Sequence, residues 1–146
     1  MNIEKFTNKG REALMQAHNC AVKFKHQELR PIHLFYALLT VDGPVEDALK
    51  KSSISVKDLL SAVEKKLRSI PAVDGPGAGE IYTSRQFSAV LIAAEEKSKT
   101  LKDDFISVDT MMLALLETDK DCAELARPYG LDANKFLKAM KDVRGS

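Results

Sequence analysis

Apolar residues recur along most of the chain at spacings of three and four positions, which is the period of an amphipathic helix. In the first such segment Leu14, Ala17, Ala21 and Phe24 form one stripe, as in a helix with a single buried face. Alternation of apolar and polar residues, the pattern of a half-buried strand, never extends beyond a few positions. The pattern therefore predicts an all-α protein.

The predicted helices begin at residues that suit a helix start. Thr7 and Ser55 are candidate N-caps, and Pro31 lies in a first turn, where proline is tolerated. Thr83, followed three positions later by Gln86, has the spacing of a capping box and predicts a further start. We therefore expect about eight helices, spanning roughly 8–24, 31–39, 45–51, 56–68, 84–100, 108–116, 122–129 and 133–143.

A segment rich in proline and glycine divides the chain almost in half. Residues 71–80 contain two prolines and three glycines, a composition that a helix does not accommodate. We expect this segment to be a surface loop that links a first repeat, about 1–70, to a second repeat, about 81–146.

The two halves resemble each other in sequence. An offset of 76 places Phe6 on Tyr82, and an offset of 77 places Leu38 on Leu115, so one residue would be inserted before the second helix of the later half. The matched positions are mostly apolar, which is what a duplicated helical unit preserves. The predicted fold is thus two four-helix repeats, related by a pseudo-twofold axis and sharing one core.

Composition and charge exclude several classes of function. The net charge of +1 argues against general nucleic-acid binding, and the acidic residues of the second half would repel a DNA backbone. No apolar run approaches the ~20 residues that a membrane span needs. Two cysteines give no disulfide framework, and no signal peptide is recognisable, so we expect two buried thiols in a cytoplasmic protein.

Residues that could carry chemistry are few. Residues 75–80 are glycine-rich but lack the Lys-Ser or Lys-Thr pair and the preceding strand of a phosphate-binding loop. His18, His26 and His33 are too scattered to predict a metal site, and His33 fits a hydrogen-bonded structural histidine better. We therefore expect no catalytic, cofactor or metal site in this chain.

Four segments carry a resemblance to a known family. They are Phe-Thr-Asn-Lys at 6–9, Leu-Arg-Pro-Ile-His-Leu-Phe-Tyr-Ala-Leu-Leu at 29–39, Asp-Phe-Ile-Ser-Val-Asp at 104–109 and Leu-Ala-Leu-Leu at 113–116. They resemble the double Clp N-terminal repeat of AAA+ chaperones over the whole chain, 1–146, as a single domain. The stretch from Ile70 to Gly75 looks most like the ClpB disaggregase branch.

This resemblance implies a mobile domain that docks unfolded or aggregated polypeptides for threading by a hexameric ATPase ring. ATP and the DnaK chaperone system would act through other domains of the parent protein, and the isolated chain would be a monomer that is not itself an enzyme. The alternative is an adaptor-binding N-terminal domain of a ClpC- or ClpA-type protease regulator.

The resemblance also implies which residues bind clients. Carried over by position, the family's shallow groove falls on Leu91, Ala93, Lys97 and Thr110, and polar positions linked to client handling fall on Thr7, Asp103 and Asp109. Lys97 and Thr110 stand where the family often has leucine. Simpler roles are also open: Thr7 as a helix N-cap, Asp109 as a favourable charge in a first turn, and Leu91 as a core residue.

One indication of a binding surface comes from the residues alone. Val90, Leu91 and Ile92 are consecutive in a predicted helix, and three consecutive residues cannot all lie on one buried stripe. At least one of them should face outward or toward a partner. Met111 and Met112 are a second candidate, although packing in the core suits them better.

Overall fold

Eight α-helices and one pair of two-residue parallel strands form the regular structure of residues 2–75 and 80–145, the part of the chain that the computed structural model describes. The helices are α1 (Asn8–Lys23), α2 (Pro31–Thr40), α3 (Pro44–Lys51), α4 (Val56–Ser69), α5 (Arg85–Thr100), α6 (Val108–Thr118), α7 (Lys120–Ala126) and α8 (Ala133–Arg144). The strands are β1 (Glu28–Leu29) and β2 (Tyr82–Thr83), and short 3₁₀ turns occur at Ile3–Lys5 and Arg127–Tyr129. The all-α prediction is confirmed, with each helix boundary within three residues of its expected position.

The two repeats are related by a constant separation of 77 positions. Lys25 and Lys102 both take a left-handed conformation after the first helix of their repeat, with φ of 58° and 61°. Ser53 and Gly130 are a second left-handed pair at the same separation, before the last helix of each repeat. The expected offset of 76 over the first helix, with an inserted residue after it, is therefore wrong.

The cause of that error is the position of the cap that begins α5. Ser84, and not Thr83, is the N-cap: its Oγ accepts a hydrogen bond from the Phe87 N–H at 3.0 Å. Thr83 cannot take this role because it belongs to β2, where it pairs with Leu29. The equivalent cap on α1 is Thr7, whose Oγ accepts from the Gly10 N–H at 3.0 Å, as expected.

We expect Ser84→Ala to lower the free energy of unfolding by about 1 kcal/mol, because it removes the side-chain cap from a buried helix start. Thr83→Ala is the matched control and should cost less, since the Thr83 side chain is exposed. Urea denaturation followed by circular dichroism measures both. Equal losses in the two variants would show that Ser84 does not cap α5 in solution.

Contacts between the repeats follow the pseudo-twofold relation. Within each repeat the first helix packs on the second, α1 on α2 and α5 on α6. Between repeats, α3 packs on α8 and, equivalently, α4 packs on α7, while α2 and α6 meet at the centre. One continuous cluster of buried residues contains Phe35 and Leu38 from the first repeat and Met112, Leu115 and Phe136 from the second. Met111 and Met112 are thus core residues.

Two short backbone pairings connect the beginning of each repeat to a loop of the other. Leu29 pairs with Thr83 in the parallel strands β1 and β2, and Phe6 pairs with Ile106 in an isolated bridge. The second pairing is the pseudo-twofold equivalent of the first. Gly10 permits the close approach at the bridge, because a Cβ there would lie 3.1 Å from the Ile106 carbonyl oxygen.

The first half of the linker lies against the end of α1. The Val73 N–H donates to the Lys25 carbonyl at 2.8 Å, and the Lys25 Nζ lies 2.8 Å from an Asp74 carboxylate oxygen. Of the predicted linker, residues 76–79 lie outside the described residues. No helix in the described part of the chain is both long enough and apolar enough to cross a membrane.

Candidate functional site

An open apolar groove lies between α1 and α5, with a volume of about 470 Å³. Its lining comes from both repeats: Ile3, Phe6, Leu14, Leu29, Thr83, Phe87, Ser88, Leu91 and Ile92. The two backbone pairings that join the repeats supply Phe6, Leu29 and Thr83 as its floor. None of these nine side chains carries a charge, so the groove suits an apolar occupant.

Large apolar side chains remain exposed along this groove. Ile92 on α5 is 54% exposed and Ile3 is 51% exposed. Met15 on α1, the pseudo-twofold equivalent of Ile92, is 64% exposed and follows the lining residue Leu14 in sequence, although it does not itself line the groove. Exposed apolar residues that are grouped in this way, unlike single ones, mark binding surfaces.

The prediction that one of three consecutive apolar residues on α5 faces outward is confirmed, and that residue is Ile92. Val90 is fully buried, and Leu91 is 8% exposed. Leu91 therefore combines the two roles that the sequence left open, since it packs on the core and also lines the groove.

The groove expected from the resemblance is only partly reproduced. Of its four residues, Leu91 lines the observed groove. Ala93 and Lys97 are half-buried elsewhere on α5, and the Lys97 Nζ pairs with a Glu117 oxygen of α6 at 2.9 Å. Thr110 is fully buried and does not line the observed groove, and its part in client binding stays a prediction. Its side chain faces the interior from the first turn of α6.

Two of the three polar residues that the resemblance connects with client handling, Asp103 and Asp109, form part of a network around Arg144, at the end of α8. The Arg144 guanidinium binds both oxygens of Asp109, with Nε–Oδ2 and Nη2–Oδ1 distances of 2.9 and 3.0 Å. Its Nη1 lies 3.1 Å from each Asp103 oxygen. The Ser107 hydroxyl donates a hydrogen bond to the Asp109 carboxylate. The Thr110 hydroxyl oxygen lies 3.1 Å from the Ser107 hydroxyl oxygen.

Asp109 is only 3% exposed and its carboxylate is bound by Arg144, so its place at the edge of a client surface stays a prediction. Asp103 is half-buried and bound to the same guanidinium. Thr7 is half-buried and caps α1. The sequence missed the network because Arg144 is 35 positions from Asp109.

A second buried polar pair occupies the equivalent place in the first repeat. His26 Nδ1 and His33 Nε2 lie 2.8 Å apart, and the two residues are 4% and 0% exposed. At the separation of 77 they correspond to Asp103 and Thr110. Burial lowers the pKa of His33 to about 4 and also lowers the pKa of His26. The interpretation of His33 as a hydrogen-bonded structural histidine is confirmed.

Other groups with potential chemistry do not converge. Cys20 and Cys122 are both buried and free, as expected, and burial raises the pKa of the Cys20 thiol to about 11. Burial also raises the pKa of Cys122. Within residues 2–75 and 80–145, no group of three or more His, Cys, Asp and Glu residues is placed to hold a metal ion.

Comparisons with known proteins point to one family. The family described as the Clp repeat N-terminal domain matches residues 5–128. The chaperone protein ClpB of Nitratidesulfovibrio vulgaris is 38% identical over 151 positions that cover the whole chain, which spans 18% of that relative. The Hsp104 N-terminal domain of Candida albicans has the same fold, with a TM-score of 0.86, 24% identity and coverage of 97% of this chain and 93% of that one.

A second similar structure contains a bound peptide. It is a complex of the ClpV N-domain with a VipB peptide, with a TM-score of 0.68, 21% identity and coverage of 96% of this chain and 89% of that one.

Proposed function

This chain belongs to the Clp repeat N-terminal domain family, and we propose that it is the client-docking domain of a ClpB-type protein disaggregase. The groove between α1 and α5 binds short apolar segments of unfolded or aggregated polypeptides. The observation that carries the proposal is the uncharged, largely apolar groove with exposed Ile3 and Ile92 at its edge. ATP hydrolysis, ring assembly and work with DnaK belong to the rest of a much longer protein, since the chain spans 18% of its relative.

A pair of opposite charges lies next to a lining residue of the groove. Lys5 precedes Phe6, and its Nζ lies 2.6 Å from a Glu95 oxygen, a contact that lowers the pKa of the Glu95 carboxyl. Opposite charges in contact leave a weak field, so the groove selects for apolar content and not for the charge of a client.

Binding in such a groove is weak, because a few side chains leave little free energy after the costs of association. Weak binding suits this role. A ring that presents several copies gains avidity from many loose contacts, and each contact still releases its client for threading. The peptide bound to the ClpV N-domain supports the proposal, since it shows that a domain of this fold accommodates a polypeptide ligand.

We expect Ile92→Asp to weaken client binding at least about tenfold, because it removes apolar contact and places a carboxylate that must lose water when an apolar segment binds. The measurement is fluorescence anisotropy at pH 7.5, with an end-capped peptide of alternating leucine and serine that carries tetramethylrhodamine. Stability should change little, since Ile92 is already half exposed.

Val22→Asp is the matched control. Val22 is 49% exposed on α1 but does not line the groove, so this variant should bind the peptide as the unchanged chain does. Equal weakening by the two substitutions would place the client elsewhere. A complete lack of peptide binding by the unchanged chain would contradict client docking and favour adaptor docking of the ClpC or ClpA type.

A further inference from the structure

The hydrogen bonds around the His26–His33 pair determine which nitrogen of each neutral ring carries the proton. His33 Nδ1 accepts a hydrogen bond from the Arg30 N–H at 2.9 Å, so the proton of neutral His33 is on Nε2. That Nε2–H donates to His26 Nδ1 at 2.8 Å, which leaves His26 protonated on Nε2. The backbone carbonyls of Ile70 and Leu67, at the end of α4, interact with the His26 ring.

Uptake of a proton by this pair breaks a hydrogen bond in every arrangement. A proton on His26 Nδ1 faces the donating Nε2–H of His33. If His33 then changes tautomer to accept at Nε2, its new Nδ1–H faces the Arg30 N–H. A proton on His33 Nδ1 meets the same Arg30 N–H directly. Because both rings are buried, no water replaces the lost bond.

The pair lies directly beside the floor of the groove. Leu29, which lines the groove, is separated from His26 by two residues and precedes Arg30, the N-cap of α2. Three hydrogen bonds hold this segment: the His26 N–H donates to the Ala21 carbonyl at 2.9 Å, the Tyr82 N–H to Gln27 at 2.7 Å and the Ser84 N–H to Leu29 at 3.0 Å. The last two bonds attach the second repeat to the first.

Charged groups of both signs lie near the pair. Arg30 acts on both rings and is itself paired with Glu28, with an Nε–Oε1 distance of 2.8 Å. From α1, the Lys23 Nζ lies 5.7 Å from the centre of the Phe24 ring, which stacks on His26, and Lys25 is paired with Asp74. Lys66 on α4 shares a cavity with Arg30, and so do Asp119 and Asp121 at the beginning of α7. Tyr82 on β2 shares a cavity with His26.

We propose that the His26–His33 pair is a pH-sensitive latch on the floor of the groove: while both rings are neutral it holds residues 26–30 in place, and uptake of one proton releases them and weakens client docking. The proton comes from solvent and is returned when the pH rises. The effect on docking rests on the proposed function, whereas the latch itself does not.

The second repeat lacks this sensitivity. Asp103 and Thr110 take the places of His26 and His33, and they are held by the Arg144 guanidinium, which keeps its proton throughout the neutral and mildly acidic range. The Thr7 N–H, which donates to the Ile106 carbonyl at 2.9 Å, is the pseudo-twofold equivalent of the Ser84 N–H. These two amides are a matched pair within one molecule.

Native-state hydrogen exchange of the 146-residue chain, corrected for the intrinsic effect of pH, tests the latch. Released histidines titrate near their ordinary pKa of about 6.5, whereas burial in the closed segment lowers the pKa of both rings. The closed form therefore has its full stability relative to the open form above pH 6.5, and this stability decreases as the pH falls toward 4. With uptake of one proton, the opening equilibrium at the Ser84 amide should rise roughly 15-fold from pH 6.5 to 5.0, because a released histidine is already half protonated at pH 6.5, while that at Thr7 stays level.

Peptide binding tests whether the latch affects client docking. The affinity of the end-capped leucine–serine peptide, which has no titratable group, should fall with pH in parallel with Ser84 opening. His18→Gln removes the exposed third histidine and should leave both responses unchanged, whereas His26→Gln/His33→Gln should abolish them.

Each of the other outcomes contradicts one specific part of the proposal. Equal responses at Ser84 and Thr7, or none, overturn the latch whether or not the double variant folds. Opening at Ser84 without a change in peptide affinity overturns its control of the groove. Failure of the peptide to bind at pH 7.5 overturns the proposed function, and hydrogen exchange still decides the latch.

Discussion

Replacing Phe136 with alanine should lower the free energy of unfolding by about 3–5 kcal/mol and should destabilise both repeats together. Phe136 is fully buried on α8 of the second repeat, and α8 packs on α3 of the first. The substitution leaves a cavity among residues of both repeats, because they belong to one buried cluster. A loss that is felt in both halves follows from this shared core.

The measurement combines urea denaturation with hydrogen exchange at amides of α2 and α6, one helix from each repeat. Both helices should lose protection by the same free energy, in a single transition. Leu137→Ala, at the neighbouring half-buried position, is the matched control and should cost clearly less. Full protection of α2 in Phe136→Ala would show that the repeats are separate domains that happen to touch.

The helices could be predicted from the sequence because their causes are local. The apolar stripe that includes Ala17 and Ala21 fixes the buried face of α1, and Thr7 and Ser55 cap their helices through bonds to residues three positions away. Information of this kind is contained in any window of about a dozen residues. The repeat was visible for the same reason, since duplicated helices preserve apolar positions.

The start of α5 could not be predicted from neighbouring residues alone, because it depends on a contact between residues that are distant in sequence. Thr83 and Ser84 are adjacent hydroxyl residues, and each has a suitable sequence around it for a cap. The choice between them is made by Leu29, which pairs with Thr83 and accepts a hydrogen bond from the Ser84 N–H. That contact joins residues more than fifty positions apart, and missing it shifted the alignment of the first helices by one residue.

The site could be predicted only in part for a similar reason. The sequence indicated that an apolar residue of α5 faces outward, and it identified Leu91 as a candidate for the groove. It could not show that Leu14, Leu29 and Ile3 complete the same groove, because they come from three separate segments. Nor could it show that His26 and His33 touch, since this requires the sharp left-handed turn at Lys25.

Arg144→Leu should lower the free energy of unfolding by about 2–3 kcal/mol, because it leaves the Asp109 carboxylate buried without its cation. We place the loss toward the lower end for a buried pair, since the Arg144 side chain is 29% exposed and Asp109 keeps the Ser107 hydroxyl and the Thr110 N–H as donors. Urea denaturation at pH 7 provides the measurement.

Asp109→Asn in the Arg144→Leu background distinguishes a lost charge pair from lost packing. The amide needs no cation, so the double variant should recover about half or more of the stability that Arg144→Leu removes. Both variants should bind the leucine–serine peptide as the unchanged chain does under conditions where they are folded, because none of the groove residues belongs to this network. Unchanged stability with a loss of peptide binding would reverse the assignment: Asp103 and Asp109 would then contact clients, as the family resemblance implied.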